Sequence, residues 1–131
     1  MSAERRILQQ SKVIAVVGLS SNPDRSSYGV ASYLQKRGYR IIPVNPNETE
    51  VLGERSYARL EDITEKVDVV DVFRRAEYTP EIVKSAIAIG AKAVWLQLGI
   101  RNSEAERLAQ EAGLLFVQDA CMAVSHRFVG A

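Results

Sequence analysis

Serine, asparagine and arginine side chains recur in this chain just after short apolar runs, where a βα fold presents groups to a ligand. Gly18, Leu19 and Ser20 follow the run 13–17, with Ser21, Arg25, Ser26 and Ser27 close behind. Asn45, Pro46 and Asn47 follow the run 39–44, and Arg74 and Arg75 follow 67–73. Gln97, Leu98, Gly99, Ile100 and Arg101 close the run 93–98, and Asp119 to Cys121 stand after the last one. Hydroxyls and unpaired backbone N–H groups at a helix start bind phosphate oxygens, and guanidinium groups pair with them. Phosphate binding is the chemistry these residues suggest. The same serines serve equally as helix caps, Arg25 as a solvated surface group and Asn45-Pro46 as a plain turn, so both readings stand on the residues alone.

Other chemistries find no parts. A G-x-G-x-x-G fingerprint needs glycine at positions 20 and 23, which hold Ser20 and Pro23. No acid stands at the end of the second run to grip a ribose, since Glu48 comes only after the turn; this weakens a nicotinamide-dinucleotide reading. Cys121 and His126 are five apart and misaligned on a helix, so they make a poor nucleophile–base pair. His126 is the sole histidine, and neither HxxxH nor GxSxG occurs. No catalytic and no metal-ligating residue is assigned. Arg74 and Arg75, two positive charges at one strand tip, read as anion contacts.

The 131 residues are read as one domain, 1–131, long enough for a core without staples. Hydrophobic content of 47% and charged content of 25% are those of an ordinary globular protein. A net charge of +1 gives no electrostatic case for nucleic acid or a membrane surface. No apolar run approaches the ~20 residues of a membrane span. The first twelve residues lack the apolar core of a signal peptide, and one cysteine suits a reducing compartment, so a cytoplasmic location is expected.

The elements that must position these groups follow from periodicity. Residues 3–10 read as a short helix, 13–17 as a buried strand, and 28–37 as a helix stopped by Gly38. Strand 39–44 contains Pro43, which implies a locally unpaired side. Residues 51–57 read as a small extended piece turning at Gly53, and 60–66 as a polar turn. Strand 67–73 carries Asp68 and Asp71, one expected at the strand end and the other hydrogen-bonded to a neighbour. Thr79-Pro80-Glu81 reads as an N-cap and first turn of a helix to Gly90, and Ser103 with Glu106 as a capping box for a helix to Gly113. Strands 93–98 and 114–117 and a helix in the tail from Ala120 complete the chain, with Trp95 read as core. The alternation implies an α/β, Rossmann-like three-layer sandwich with a mostly parallel sheet of five to six strands, its ligand at the strands' carboxyl ends.

Four stretches together carry a resemblance: IAVVGLSSNPDRSSYGVASYLQKRGYRIIPVNPNETEVLGE, VDVVDVFRRAE, AKAVWLQLGIRNSEA and AGLLFVQDACM. In that order, and over nearly the whole chain, they resemble the small bacterial and archaeal CoA-binding-domain proteins. That domain is similar to the N-terminal part of the succinyl-CoA synthetase alpha subunit and other acyl-CoA synthetases. The resemblance implies coenzyme A as ligand, with Gly18 to Ser20 and Ser26 at the phosphates and Val44 to Asn47 on the adenosine side. Phe73 to Arg75 and Gln97 to Ile100 would enclose the ligand further along. One departure stands out: the family's last motif usually reads Asp-Arg-Cys, and here it is Asp119-Ala120-Cys121. The synthetases also need a phosphorylatable histidine, and the region of His126 does not resemble that loop.

The expected function is therefore a stand-alone CoA or acyl-CoA binding protein, non-catalytic on its own, with a sensor or regulator as its setting. The alternatives are an NAD(P)-binding redox module and a subunit of a split acyl-CoA synthetase. Homo-oligomer and separate protein partner both stay open. Cys121, near the expected site edge, reads either as a thiol able to form a mixed disulfide with CoA or, more simply, as an inert buried cysteine.

Overall fold

The computed structural model describes residues 2–129. Helix α1 (Ala3–Gln10) is capped by Ser2, whose Oγ accepts from Arg5 N, and it buries Ile7 and Leu8. Five parallel strands make the main sheet: β1 (Val13–Val17), β2 (Arg40–Val44), β5 (Val69–Val72), β6 (Ala93–Leu96) and β7 (Leu115–Val117). Between them, β3 (Glu50–Val51) and β4 (Glu54–Arg55) form a separate antiparallel hairpin. The helices are α2 (Ser26–Lys36), α3 (Thr79–Ala88), α4 (Ser103–Glu111) and α5 (Met122–Val129). The strands are nearly all-apolar because both sheet faces are covered, as parallel sheets require.

Alternate residues along each strand enter two cores. Ile14, Val16, Val69, Ala93 and Trp95 pack with α1, α2 and α5. Ala15, Val17, Val70, Val72, Val94 and Leu96 pack with α3 and α4. Trp95 is fully buried, and its indole N–H donates to Ala120 O at 2.8 Å. The sheet order is β2-β1-β5-β6-β7, so the chain leaves β1 in one direction and returns to its other side at β5. The switch point lies between these two strands, and a doubly wound fold places its ligand there.

Both aspartates of the third major strand stand as the sequence suggests. Asp68 Oδ2 accepts from Lys12 N and Val13 N at 2.8 and 2.9 Å, tying down the start of β1. Asp71 lies within β5, fully buried, and accepts from Gln97. Pro43 sits in the edge strand β2, whose outer side is bridged by Tyr57: Tyr57 N donates to Pro43 O and Asn45 N donates to Tyr57 O.

Two caps differ from expectation. Thr79 is already inside α3; a short 3-10 turn at Ala76–Tyr78 leads into the helix, and the Thr79 hydroxyl donates back to Ala76 O. Asn102, not Ser103, caps α4, its Oδ1 accepting from Ala105 N at 2.9 Å. Asparagine caps as well as serine, and Asn102 also donates from Nδ2 to Ala76 O, which fixes it in place.

Candidate functional site

The loop after β1 turns at Gly18, whose φ is +88° and whose N–H donates to Val44 O at 2.8 Å. A Cβ here would lie 2.6 Å from the carbonyl oxygen of Phe73, just past β5. The two loops at the switch point thus touch backbone to backbone, which only glycine permits. Beyond Gly18 the loop is held by its own polar groups. Ser20 N donates to Ser27 Oγ, Asn22 N to Ser20 Oγ, Asp24 N to Asn22 Oδ1, and Ser21 N to Glu48 Oε2.

This loop delivers the start of α2, which lacks what α1 and α4 possess. Among the described residues no side chain caps its N-terminus, and no acid stands in its first turn. The free N–H groups and the positive end of the helix dipole are left for an outside anion. Ser26 and Ser27 of that turn line a cavity of about 450 Å³, together with Gly18, Arg25 and Val30. Phe73, Arg74 and Arg75 line it from beyond β5, Gln97, Leu98 and Ile100 from beyond β6, and Cys121 from before α5. That volume is in the range of small-molecule sites.

Among the described residues, three guanidinium groups and no carboxylate line the cavity. Arg75 makes only a long pairing of 3.8 Å with Glu77, and Arg74 stacks over Tyr78 at 4.9 Å. Among the described residues neither Arg25 nor Arg74 is in an ion pair. Exposed positive charges grouped with so little anionic compensation repel one another, and an anion relieves that repulsion.

The remaining expected residues stand elsewhere. Leu19 is fully buried in the core, so only its backbone faces the loop. Ser20 spends its N–H and hydroxyl oxygen on the loop bonds given above. Val44 is buried and lines a second, smaller groove of about 290 Å³ on the α3 side, with Val17, Leu60 and Ile82. Asn45 bridges the two loops, donating from Nδ2 to Leu19 O and accepting from Asn47 N; Pro46 and Asn47 are exposed. Gly99 is exposed, and its N–H donates to Asp119 Oδ1 at 2.7 Å. Val30 joins the lining without being among the residues expected from the sequence. It lies one helical turn beyond Ser26, and that spacing is the signal that finds it.

Asp119 holds the β6 turn from below, at a φ of +56°. The hydrogen bond from Gly99, and then Arg101, hold its carboxyl below the usual carboxylate range. Arg101 Nε lies 3.2 Å from Asp119 Oδ2, so this carboxylate has an arginine partner although position 120 is alanine. His126 is buried and its Nδ1 is hydrogen-bonded to the Tyr33 hydroxyl at 3.0 Å, while Cys121 lies at the cavity wall. The two are not arranged as a catalytic pair. The described residues contain no group of three or more potential metal ligands and no helix long and apolar enough to cross a membrane.

Comparison with known proteins gives a consistent kinship. Residues 12–127 match the family model described as a CoA binding domain. The chain is 43% identical over 122 residues to the Bacillus subtilis protein YneT, covering 93% of this chain and 90% of that one. A solved structure of a hypothetical protein from Pyrococcus horikoshii OT3 superposes with a TM-score of 0.95 at 41% identity, covering 100% of this chain and 94% of the other. An ADP-forming acetate–CoA ligase II from Archaeoglobus fulgidus is 27% identical over 107 residues, 80% of this chain and 16% of the ligase.

Proposed function

The chain belongs to the CoA-binding-domain family, and on that premise we propose that it binds coenzyme A or an acyl-CoA reversibly at the switch-point cavity. The observation that carries this reading is the uncapped start of α2 facing the same cavity as Arg25, Arg74 and Arg75. Coenzyme A brings a diphosphate and a ribose phosphate, and these donors suit such groups. Ser26, Ser27 and the α2 N–H groups hold phosphate oxygens, and the three arginines neutralise the charge. The adenosine end rests against the Asn45–Asn47 turn, which is tied to the loop after β1 by Gly18 N donating to Val44 O and Asn45 Nδ2 donating to Leu19 O. The protein binds and does not turn the ligand over on its own.

A second reading has one observation behind it. The ligase from A. fulgidus contains the matching region as a small part of its length, so the alternative setting is one component beside a separate protein that supplies the remainder. Ligase activity appearing only on mixing with such a protein would favour that setting over a stand-alone binder.

Thermal unfolding with CoA, acetyl-CoA, NAD and NADP in separate samples tests the binding reading. A ligand at about 100 times its dissociation constant adds about 2.7 kcal/mol, a clear rise in midpoint. A rise with CoA species alone is expected. A rise with NAD or NADP alone would replace this reading with a redox module, and no rise with any would remove it.

A further inference from the structure

Beneath the cavity lies a polar pair that phosphate binding does not explain. Asp71 in β5 and Phe73 just past it are two apart along one extended run, which puts Asp71 on the same sheet face as the Phe73 that lines the cavity. Asp71 is fully buried; its Oδ1 accepts from Gln97 Nε2, and its Oδ2 has no partner among the described residues. Gln97 is itself 4% exposed and lines the cavity. Its Oε1 accepts from Met122 N, at the start of α5, at 3.4 Å.

A carboxamide can turn end for end, and only its partners decide which way it stands. Met122 N–H can only donate, so it requires the amide oxygen on its side. Asp71 Oδ1 accepts from Gln97 Nε2, which sets the amide nitrogen on the other. Both demands select one orientation, and the pair ties β5, β6 and α5 together at the cavity floor. An apolar core would cost less than a buried carboxyl with one oxygen unpaired. Burial pushes this carboxyl up to about 7 despite the hydrogen bond from Gln97. The group is therefore held here against its own solvation preference, bonded to a side chain, Gln97, that lines the cavity.

We propose that Asp71 is a positioning residue for ligand binding: it locks the Gln97 carboxamide in one orientation, so that the ligand meets a fixed amide at the cavity floor. This rests on the CoA reading for the identity of the ligand. The lock on Gln97 is a property of the free protein.

Two readouts test it on Asp71→Asn, Asp71→Val and Asp71→Leu, the last two being apolar replacements of different volume. The first is the Gln97 side-chain amide pair in ¹⁵N–¹H correlation spectra without ligand, assigned by its loss in Gln97→Met. The second is CoA affinity by calorimetry. The asparagine side chain keeps an acceptor oxygen, so Asp71→Asn should preserve both the amide resonances and the affinity. The apolar variants should fold, with midpoints unchanged or raised, yet lose the separated amide resonances and bind CoA about 10-fold more weakly, the worth of one hydrogen bond to a charged group. A merely structural role lowers the midpoint and leaves the affinity of the folded protein alone. Folded apolar variants with unchanged amide resonances or unchanged affinity would overturn the proposal, as would a folded Asp71→Asn protein with lost affinity. Wild-type protein that fails to bind CoA would overturn the functional reading and the ligand half of this one, leaving the amide spectra to decide the lock.

Discussion

A Cβ placed on Gly18 would lie 2.6 Å from the carbonyl oxygen of Phe73, so the loops that follow β1 and β5 meet without room for any side chain. That contact closes the switch point of the sheet and sets the distance between the α2 start and the arginines beyond β5. Gly18→Ala should therefore do two things. It should destabilise the fold by about 2 kcal/mol or more, from a left-handed φ that costs roughly 1–2 kcal/mol plus the collision with a backbone atom that cannot rotate away. It should also weaken CoA binding in whatever protein remains folded. Urea unfolding and calorimetry read the two effects separately.

Arg74 and Arg75 are exposed and make few internal contacts, so replacing them should leave the fold alone. The Arg74→Ala, Arg75→Ala double variant should unfold within about 0.5 kcal/mol of wild type. Its CoA affinity should fall at least about 10-fold, since each lost hydrogen bond to phosphate is worth about 1.5–3 kcal/mol. The wild-type affinity should drop with added salt, and the double variant's should drop less.

Asp71 gives the stability a pH dependence of defined sign. In the unfolded chain its carboxyl titrates near about 4, and in the folded protein burial raises it to about 7. Between those values the folded state holds the proton that the unfolded state has released. The advantage is lost as pH rises through that window, and above it the folded protein carries the full cost of a buried charge, roughly 4 kcal/mol at most. Asp71→Asn removes the titration. The stability difference between variant and wild type should grow in the variant's favour from about pH 4 to about pH 7 and then level off, as read by chemical denaturation across pH.

Asp119 combines a positive φ with an acceptor for Gly99 N–H. Asparagine tolerates that conformation and keeps the carbonyl oxygen, whereas alanine provides neither. Asp119→Asn should retain the β6 turn, and Asp119→Ala should loosen it, visible as faster amide exchange at Gly99. Equal exchange in both variants would show that the turn does not depend on this side chain.

Much of this architecture is legible in the sequence because local signals and tertiary demand agree. Runs such as 13–17 and 93–98 are short and apolar enough to read as buried strands, though the second ends at Leu96 and leaves Leu98 exposed, and Gly38, Gly90 and Gly113 end helices where a left-handed residue is needed. The caps of α3 and α4 are not legible to the residue, because Ser, Thr and Asn all cap and only tertiary bonds such as Asn102 to Ala76 choose between them. At the candidate site, clustering at strand ends is visible in the chain, but the sharing out of residues is not. Nothing local says that Leu19 turns inward or that Val44 faces the α3 side. Asp71 can be read as hydrogen-bonded, but its partner Gln97 is 26 residues away and emerges only from the pairing of β5 with β6.

Coenzyme A is proposed to occupy the cavity between the α2 start and the loops after β5 and β6. Titration of ¹⁵N-labelled protein with CoA, followed through backbone amide shifts, tests ligand and location together. Saturable shifts are expected at residues 18, 25–27, 73–75 and 97–100, with the far ends of the strands unmoved. No shifts at millimolar CoA, or saturable shifts confined to another face, would contradict it.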